Sequence, residues 1–162
     1  MLKETIYLIG QISTDEEETY LWRQEVKKYF KNNNGNFEII DPCANEWNRT
    51  NTNFNGDDIY RLKLYNQVGS GLIVPKDHNY VLRSTGCIAN MNHYDLNKPF
   101  IGTLFELAWY YQNPEKCVVG VFYGNPKEDI YCNHPFIRET VDVWCKDHIE
   151  ASMLLLDFYG EH

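Results

Sequence analysis

The sequence has few basic residues for its number of acidic ones. Fifteen Lys and Arg stand against 23 Asp and Glu, which gives a formal net charge of −8. Such a field repels phosphate backbones, so a nucleic acid polymer is disfavoured as a partner, whereas a small nucleoside in a local pocket is not. No apolar run approaches the roughly 20 residues of a membrane span, and the apolar segment near the N-terminus is too short for a signal peptide. We therefore expect a cytoplasmic protein with no membrane partner.

Signatures of metals and cofactors are also missing. The five cysteines are scattered, odd in number and without a C-x-x-C pair, which suits free thiols in a reducing compartment and offers zinc no ligand set. The five histidines form no H-x-x-x-H pair, and neither a Walker loop nor a G-x-G-x-x-G fingerprint is present. The sequence thus predicts no metal and no cofactor.

What the sequence does contain is an alternation of short β-rich runs with amphipathic segments. The strand-like runs are 4–9, 37–40, 86–91, 117–123 and 141–145. The first helical pattern is capped by Ser13 or Thr14 and has Trp22, Val26, Tyr29 and Phe30 on one face. Further helical segments are expected near 59–67, near 76–83 and at 100–111. Asp147 caps a last helix, which ends near 158. This order predicts a single domain over 1–162 with a three-layer α/β fold and a mainly parallel five-stranded sheet, flavodoxin-like or Rossmann-like.

In sheets of this kind, ligands bind beyond the carboxyl ends of the strands. The segments expected there are 10–13, 41–58, 90–106 and 123–136. The stretch FIGTLFELAWYY at 100–111 lies on this rim, and it carries one carboxylate, Glu106, in an otherwise apolar helix.

Two interpretations of Glu106 compete. Thr103 and Glu106 fit the T-x-x-E capping box, in which Thr caps a helix and Glu returns a hydrogen bond to the cap. In the other interpretation, Gly102 lets a ligand approach the backbone and the apolar neighbours restrict water around the carboxylate. Desolvation would then raise the pKa of Glu106, opposed by the helix N-terminus and by hydrogen-bond donors. A carboxylate kept ionised in a dry pocket can attack an electrophilic sugar carbon.

Four segments resemble, in order, the blocks of the nucleoside 2-deoxyribosyltransferase-like family: TIYLIGQIS, IIDPC, KDHNYVLRSTGCIANM and IGTLFELAWYYQNPEKCVVGVF. The resemblance covers most of residues 4–123. It implies cleavage of the N-glycosidic bond of a 2′-deoxynucleoside through a covalent deoxyribosyl-glutamate, with transfer of the sugar to a second nucleobase, by the double-displacement logic of retaining glycosidases.

The resemblance also implies roles for individual residues. Glu106 falls on the nucleophile, Asp77 on the aspartate that contacts and helps to protonate the leaving base, and Tyr7 on the tyrosine that orients the nucleophile. From the residues alone, helix capping remains open for Asp77 and plain core packing for Tyr7. The implied substrate-binding positions are Gly10 and Gln11 in the turn after strand one, Gly102 and Thr103 beside the nucleophile, and Asn133, which would complete the site of a neighbouring subunit in a homo-oligomer.

One departure from the family pattern affects the substrate. Six residues before the nucleophile, where many members have an aspartate that holds sugar hydroxyls, this chain has Phe100. Asp95 or Asn97 on the same loop can substitute, or the substrate differs. Related hydrolases act on nucleoside monophosphates, and the candidates for holding a phosphate here are Ser13, Thr14 and Arg83. Two alternatives to the transferase therefore stay open: a nucleoside or nucleoside-monophosphate hydrolase, and a non-catalytic nucleotide-sensing module on the same fold.

Overall fold

The computed structural model describes residues 3–12, 17–33, 36–44 and 71–160. Five parallel strands form one sheet in the order β2-β1-β3-β4-β5. The strands are β1 (Glu4–Gly10), β2 (Phe37–Ile40), β3 (Gly86–Asn90), β4 (Cys117–Val121) and β5 (Val143–Cys145). The helices are α1 (Trp22–Asn33), α2 (71–83), α3 (Ile101–Tyr111), α4 (Pro135–Arg138) and α5 (His148–Tyr159). The predicted three-layer α/β fold with a parallel sheet is confirmed.

The central strands are continuous apolar runs because both faces of the sheet are covered. Every residue of β3 is buried, as are the five central residues of β1. One face packs on α1 and α5, and the other packs on α2, α3 and α4, so the core is divided into two clusters by the sheet. Two side chains of β1 show the division, since Leu8 belongs to the first cluster and Tyr7 to the second.

The ends of the helices differ in part from the expectations. Asp147 caps α5 as predicted, because its Oδ1 accepts hydrogen bonds from the backbone nitrogens of Ile149 and Glu150. Helix α2 was predicted to begin near 76, but it is helical from 71 onward. The predicted caps Ser13 and Thr14, the helical piece at 59–67 and most of the Asn-rich loop lie outside the described residues. None of the helices within the described ranges is long and apolar enough to cross a membrane.

Candidate active site

The site lies where the strand order changes direction. The chain passes from β1 to β2 on one side, and β3 and β4 then continue on the other side. The carboxyl ends of β1 and β3 flank this switch point, which is where α/β sheets bind ligands. A cavity of about 280 Å³ opens there. Six residues expected at the site line it: Gly10, Gln11, Asp77, Gly102, Thr103 and Glu106.

Glu106 projects from the second turn of α3 towards the end of β1. The carboxyl group is buried, with the residue 8 % exposed, and its Oε1 accepts a hydrogen bond from the hydroxyl of Tyr7. Tyr7 is itself fully buried. The hydroxyl therefore fixes one oxygen of the carboxyl group, while the residue still borders the cavity.

Burial dominates the proton affinity of Glu106. Desolvation raises its pKa to about 8, and the repulsive charge of Asp77 adds to the shift. The Tyr7 hydrogen bond and the positive charges of Arg23 and Lys76 act in the opposite direction. At neutral pH Glu106 is therefore mostly protonated, so the nucleophile must lose a proton before it can attack. Desolvation also raises the pKa of the Tyr7 hydroxyl, which keeps it a hydrogen-bond donor.

The capping-box interpretation of Glu106 is wrong. Helix α3 begins at Ile101, so its N-cap is Phe100, and this residue makes no side-chain capping bond. Thr103 lies inside the helix and Glu106 lies one turn further on, too late to reach the cap. The helix therefore gives no structural reason for a carboxylate at this position, and the Tyr7 bond is the contact that occupies it.

Asp77 lies inside α2, so the alternative of helix capping is wrong for this residue as well. Its carboxyl group lines the cavity and is only 17 % exposed. Burial raises its pKa, and the ammonium group of Lys76, with Nζ 3.4 Å from Asp77 Oδ1, opposes the shift. Two carboxyl groups in different environments thus share one cavity, an arrangement that can assign an acid and a base.

Gln11 differs from the expectation of a base contact. Its Nε2 donates to the carbonyls of Asp95 (2.9 Å) and Lys98 (3.3 Å), and its Oε1 accepts from the backbone nitrogens of Tyr94 (3.0 Å) and Asp95 (2.9 Å). A side-chain amide has two donor hydrogens and two acceptor lone pairs. All four are used, so Gln11 clamps the β3–α3 loop to the end of β1 and has no hydrogen bond left for a base.

Besides Tyr7, which contacts Glu106 from below the cavity lining, three expected residues do not line the cavity: Asp95, Asn97 and Asn133. Asp95 Oδ1 accepts from the backbone nitrogen of Asn97 at 3.0 Å, so both residues serve the turn of their own loop. Asn133 is exposed between β4 and α4, which leaves its implied role towards a neighbouring subunit a prediction. Arg83 lies near the amino ends of the strands and pairs with Glu38 at 3.8 Å, which removes it as a phosphate contact. Ser13 and Thr14 lie outside the described residues.

Phe100 forms part of the cavity wall and is 3 % exposed. Its ring stacks on His93 with centroids 5.0 Å apart and packs against Tyr131 at 5.6 Å. The His93 ring is in turn anchored to the carbonyl of Lys98 at 3.0 Å. An aromatic cluster therefore stands where a sugar-binding carboxylate was considered, and it makes this wall apolar.

Sequence reasoning missed the remaining apolar wall and two charged groups at the site. The apolar wall is made of Ile12, Pro42, Ile73 and Pro99, four positions scattered along the chain. The charged groups are Lys98, which lines the cavity, and Lys76, whose only signal in the sequence is its place next to Asp77.

Two larger grooves lie elsewhere on the described surface. One, of about 780 Å³, runs between α3 and α4 and is mostly apolar. The other, of about 740 Å³, lies between α5 and the edge of the sheet. Neither groove contains Glu106 or Asp77, so the smaller cavity at the switch point remains the candidate active site.

Comparison with protein-family models and curated sequences does not assign the chain to a family. No protein-family model matches the chain, and no curated protein sequence matches it significantly.

Proposed function

We propose that this protein cleaves the N-glycosidic bond of 2′-deoxynucleosides and transfers the 2-deoxyribosyl group to another nucleobase. The observation that carries the proposal is the pair of carboxyl groups, buried Glu106 and half-buried Asp77, in one cavity at the switch point, with Tyr7 bonded to the first. The resemblance of residues 4–123 to the nucleoside 2-deoxyribosyltransferase-like family supports the same assignment.

In the proposed reaction, Glu106 is the nucleophile. Its ionised carboxylate forms a bond to C1′ while the bond from C1′ to the base nitrogen breaks, and the base leaves with that electron pair. A proton reaches the departing base with the help of Asp77. A second base then attacks C1′, releases the carboxylate and restores the original stereochemistry.

The charge of the cavity favours a neutral substrate over a nucleoside monophosphate. Asp77 and Glu106 both line it, and among its described lining residues Lys98 is the single basic one. The side chain of Gln11 holds the loop at 94–98 in place by hydrogen bonds to the backbone atoms of that loop. A phosphate would therefore meet the Asp77 carboxylate and would oppose the ionisation of Glu106 that the attack requires, whereas a nucleoside would do neither. The volume of about 280 Å³ suits one small molecule at a time.

The test is an exchange assay. A panel of 2′-deoxynucleosides is incubated with a second free base, and the products are separated by chromatography. A new deoxynucleoside supports transfer. Release of free base and sugar without exchange would favour hydrolysis, and absence of turnover with both nucleosides and monophosphates would favour the sensing module.

A substitution at Gly102 distinguishes an effect on substrate binding from an effect on protein stability. In α3, a Cβ added at Gly102 would meet no atom within 4 Å, and the residue lines the cavity. Because Ala is the better helix former, we expect Gly102→Ala to leave the free energy of unfolding unchanged or raised by up to about 1 kcal/mol. The new methyl group enters the space proposed for substrate, so KM for the deoxynucleoside should rise about tenfold.

The matched control is Gly71→Ala. Gly71 is also helical and also has open space around its Cβ position, but it does not line the cavity. This control should change stability alone. A Gly102→Ala variant with an unaltered KM would mean that substrate does not approach this part of α3.

Association into a homo-oligomer stays a prediction. The groove between α3 and α4 is flanked by exposed apolar side chains, including Phe136 (79 % exposed) and Tyr111 (63 % exposed). Exposed aromatic residues of this kind are enriched at protein interfaces.

A further inference from the structure

Lys76 is a buried cation that its own surroundings do not satisfy. Its Nζ is shielded from solvent and has no hydrogen-bond partner among the described residues. An ammonium group carries three donors, and leaving a buried charge without hydrogen bonds costs free energy. Its nearest opposite charge is Asp77 Oδ1 at 3.4 Å, which is likewise buried and without a hydrogen bond. Such an exception among buried polar groups calls for an explanation.

Two sets of contacts connect Lys76 with the candidate nucleophile. Its ammonium group lies over the ring of Tyr80, 5.7 Å from the centroid, within the range of a cation–π interaction. The Tyr80 ring packs on the Tyr7 ring at 5.7 Å, and the Tyr7 hydroxyl bonds to Glu106. The second connection is through Asp77, which pairs with Lys76 and lines the cavity beside Glu106.

We propose that Lys76 is a positioning residue of this site, whose ammonium group holds Asp77 as an anion facing the cavity and offsets part of the negative charge of the Asp77–Glu106 pair. The proposal rests on the proposed function, and it names a group outside the residues implied by the resemblance. The single proton of the pair then resides on Glu106. When Glu106 attacks C1′, that proton is available to the departing base, with Asp77 as the group that accepts and passes it on.

The charged and titratable groups around this pair come from every neighbouring element. They are Tyr7 on β1, Arg23 on α1, Cys43 in the turn after β2, Lys76 and Tyr80 on α2, Cys87 on β3, Lys98 in the loop before α3, and Tyr110 on α3. Of the cations in this set, Lys76 and Arg23 lower the pKa of Glu106. Arg23 is fully buried and is also held by Asp41 at 3.7 Å and by the carbonyl of Gly10 at 3.0 Å. Within the described ranges Lys76 has no such second anchor, so its charge can be removed with less damage to the fold.

The test compares Lys76→Met, which keeps the length of the side chain, with Lys76→Arg, which keeps the charge. In the wild type, kcat/KM for the exchange reaction should fall as the pH rises through the ionisation of Glu106, because the pair then loses the proton that the departing base needs. In Lys76→Met this fall should move up by about one pH unit, and kcat/KM at neutral pH should drop about tenfold because Asp77 is no longer held facing the cavity. Lys76→Arg should restore most of the loss, and Lys28→Met, which removes an exposed lysine of α1, should resemble the wild type.

A readout that needs no turnover keeps this proposal separate from the proposed function. NMR titration of ¹³C-labelled glutamate carboxyl groups, with the Glu106 signal assigned by its loss in Glu106→Gln, reports the same ionisation. An upward shift of the Glu106 pKa in Lys76→Met supports the role of Lys76 even if no nucleoside is turned over. Absence of turnover would contradict the proposed function but not the role of Lys76. An unshifted titration, or an active Lys76→Met enzyme with an unshifted pH profile, would overturn the role of Lys76 and leave the exchange reaction standing.

Discussion

Glu106→Gln is expected to reduce the exchange reaction by at least about 10³-fold, because an amide cannot form the covalent bond to C1′ that the proposed mechanism requires. The substitution is nearly isosteric, and the amide oxygen can still accept the hydrogen bond from Tyr7. The loss should therefore appear in turnover, with the fold intact by circular dichroism. Chromatography of the exchange products measures it.

The matched control is Glu115→Gln, which neutralises an exposed carboxylate outside the cavity. This variant should retain wild-type activity. Mass spectrometry of the wild type after incubation with a deoxynucleoside alone should further show a deoxyribosyl adduct on the peptide that contains Glu106. A Glu106→Gln enzyme within tenfold of the wild type would exclude Glu106 as the nucleophile.

The fold was predictable because buried parallel strands appear in the sequence as continuous apolar runs. Strand β2 was predicted at 37–40 and is found at Phe37–Ile40, and β1 differs from its prediction by one residue. The start of the last strand was less predictable, because the residue at its predicted start, Val141, is as apolar as Val143, where the strand begins. There the backbone nitrogen of Val141 is used by the turn after α4, and Asp142 Oδ2 accepts from the backbone nitrogen of Val118 at 2.7 Å. These local bonds delay the start of β5 to Val143.

The candidate site was predictable to the extent that it depends on position along a strand or helix. Glu106, Asp77 and the end of β1 meet because the carboxyl ends of parallel strands share one edge. The hydrogen bonds of the Gln11 side chain were not predictable, because their four partner atoms belong to a loop more than 80 residues away. The residue pattern of that loop does not specify its conformation. The start of α3 was misplaced for a related reason: T-x-x-E is a sequence pattern, and α3 begins two residues before its Thr.

The second large effect is expected in stability as a function of pH. The pKa of Glu106 is about 8 in the folded protein, against an ordinary value of 4.5. Between these values the folded state binds more protons than the unfolded state, so the free energy of unfolding must fall as pH rises. The stabilisation is complete below about pH 4.5 and is lost by the time the pH has passed through 8. Each tenfold change in proton affinity is worth about 1.4 kcal/mol, so the full loss is on the order of 5 kcal/mol.

Glu106→Gln removes this dependence because its amide does not ionise. Urea unfolding of both proteins from pH 4 to 9, a range that spans the ordinary and the raised pKa of Glu106, should give free energies that agree at the acid end. They should then separate with rising pH, with the variant becoming the more stable protein. The raised pKa of Asp77 makes both proteins titrate in the same direction, so the difference between them isolates Glu106. Parallel curves would mean that Glu106 is already ionised in the empty site. The proposed nucleophile would then be ready without deprotonation, and the proton for the leaving base would have to come from elsewhere.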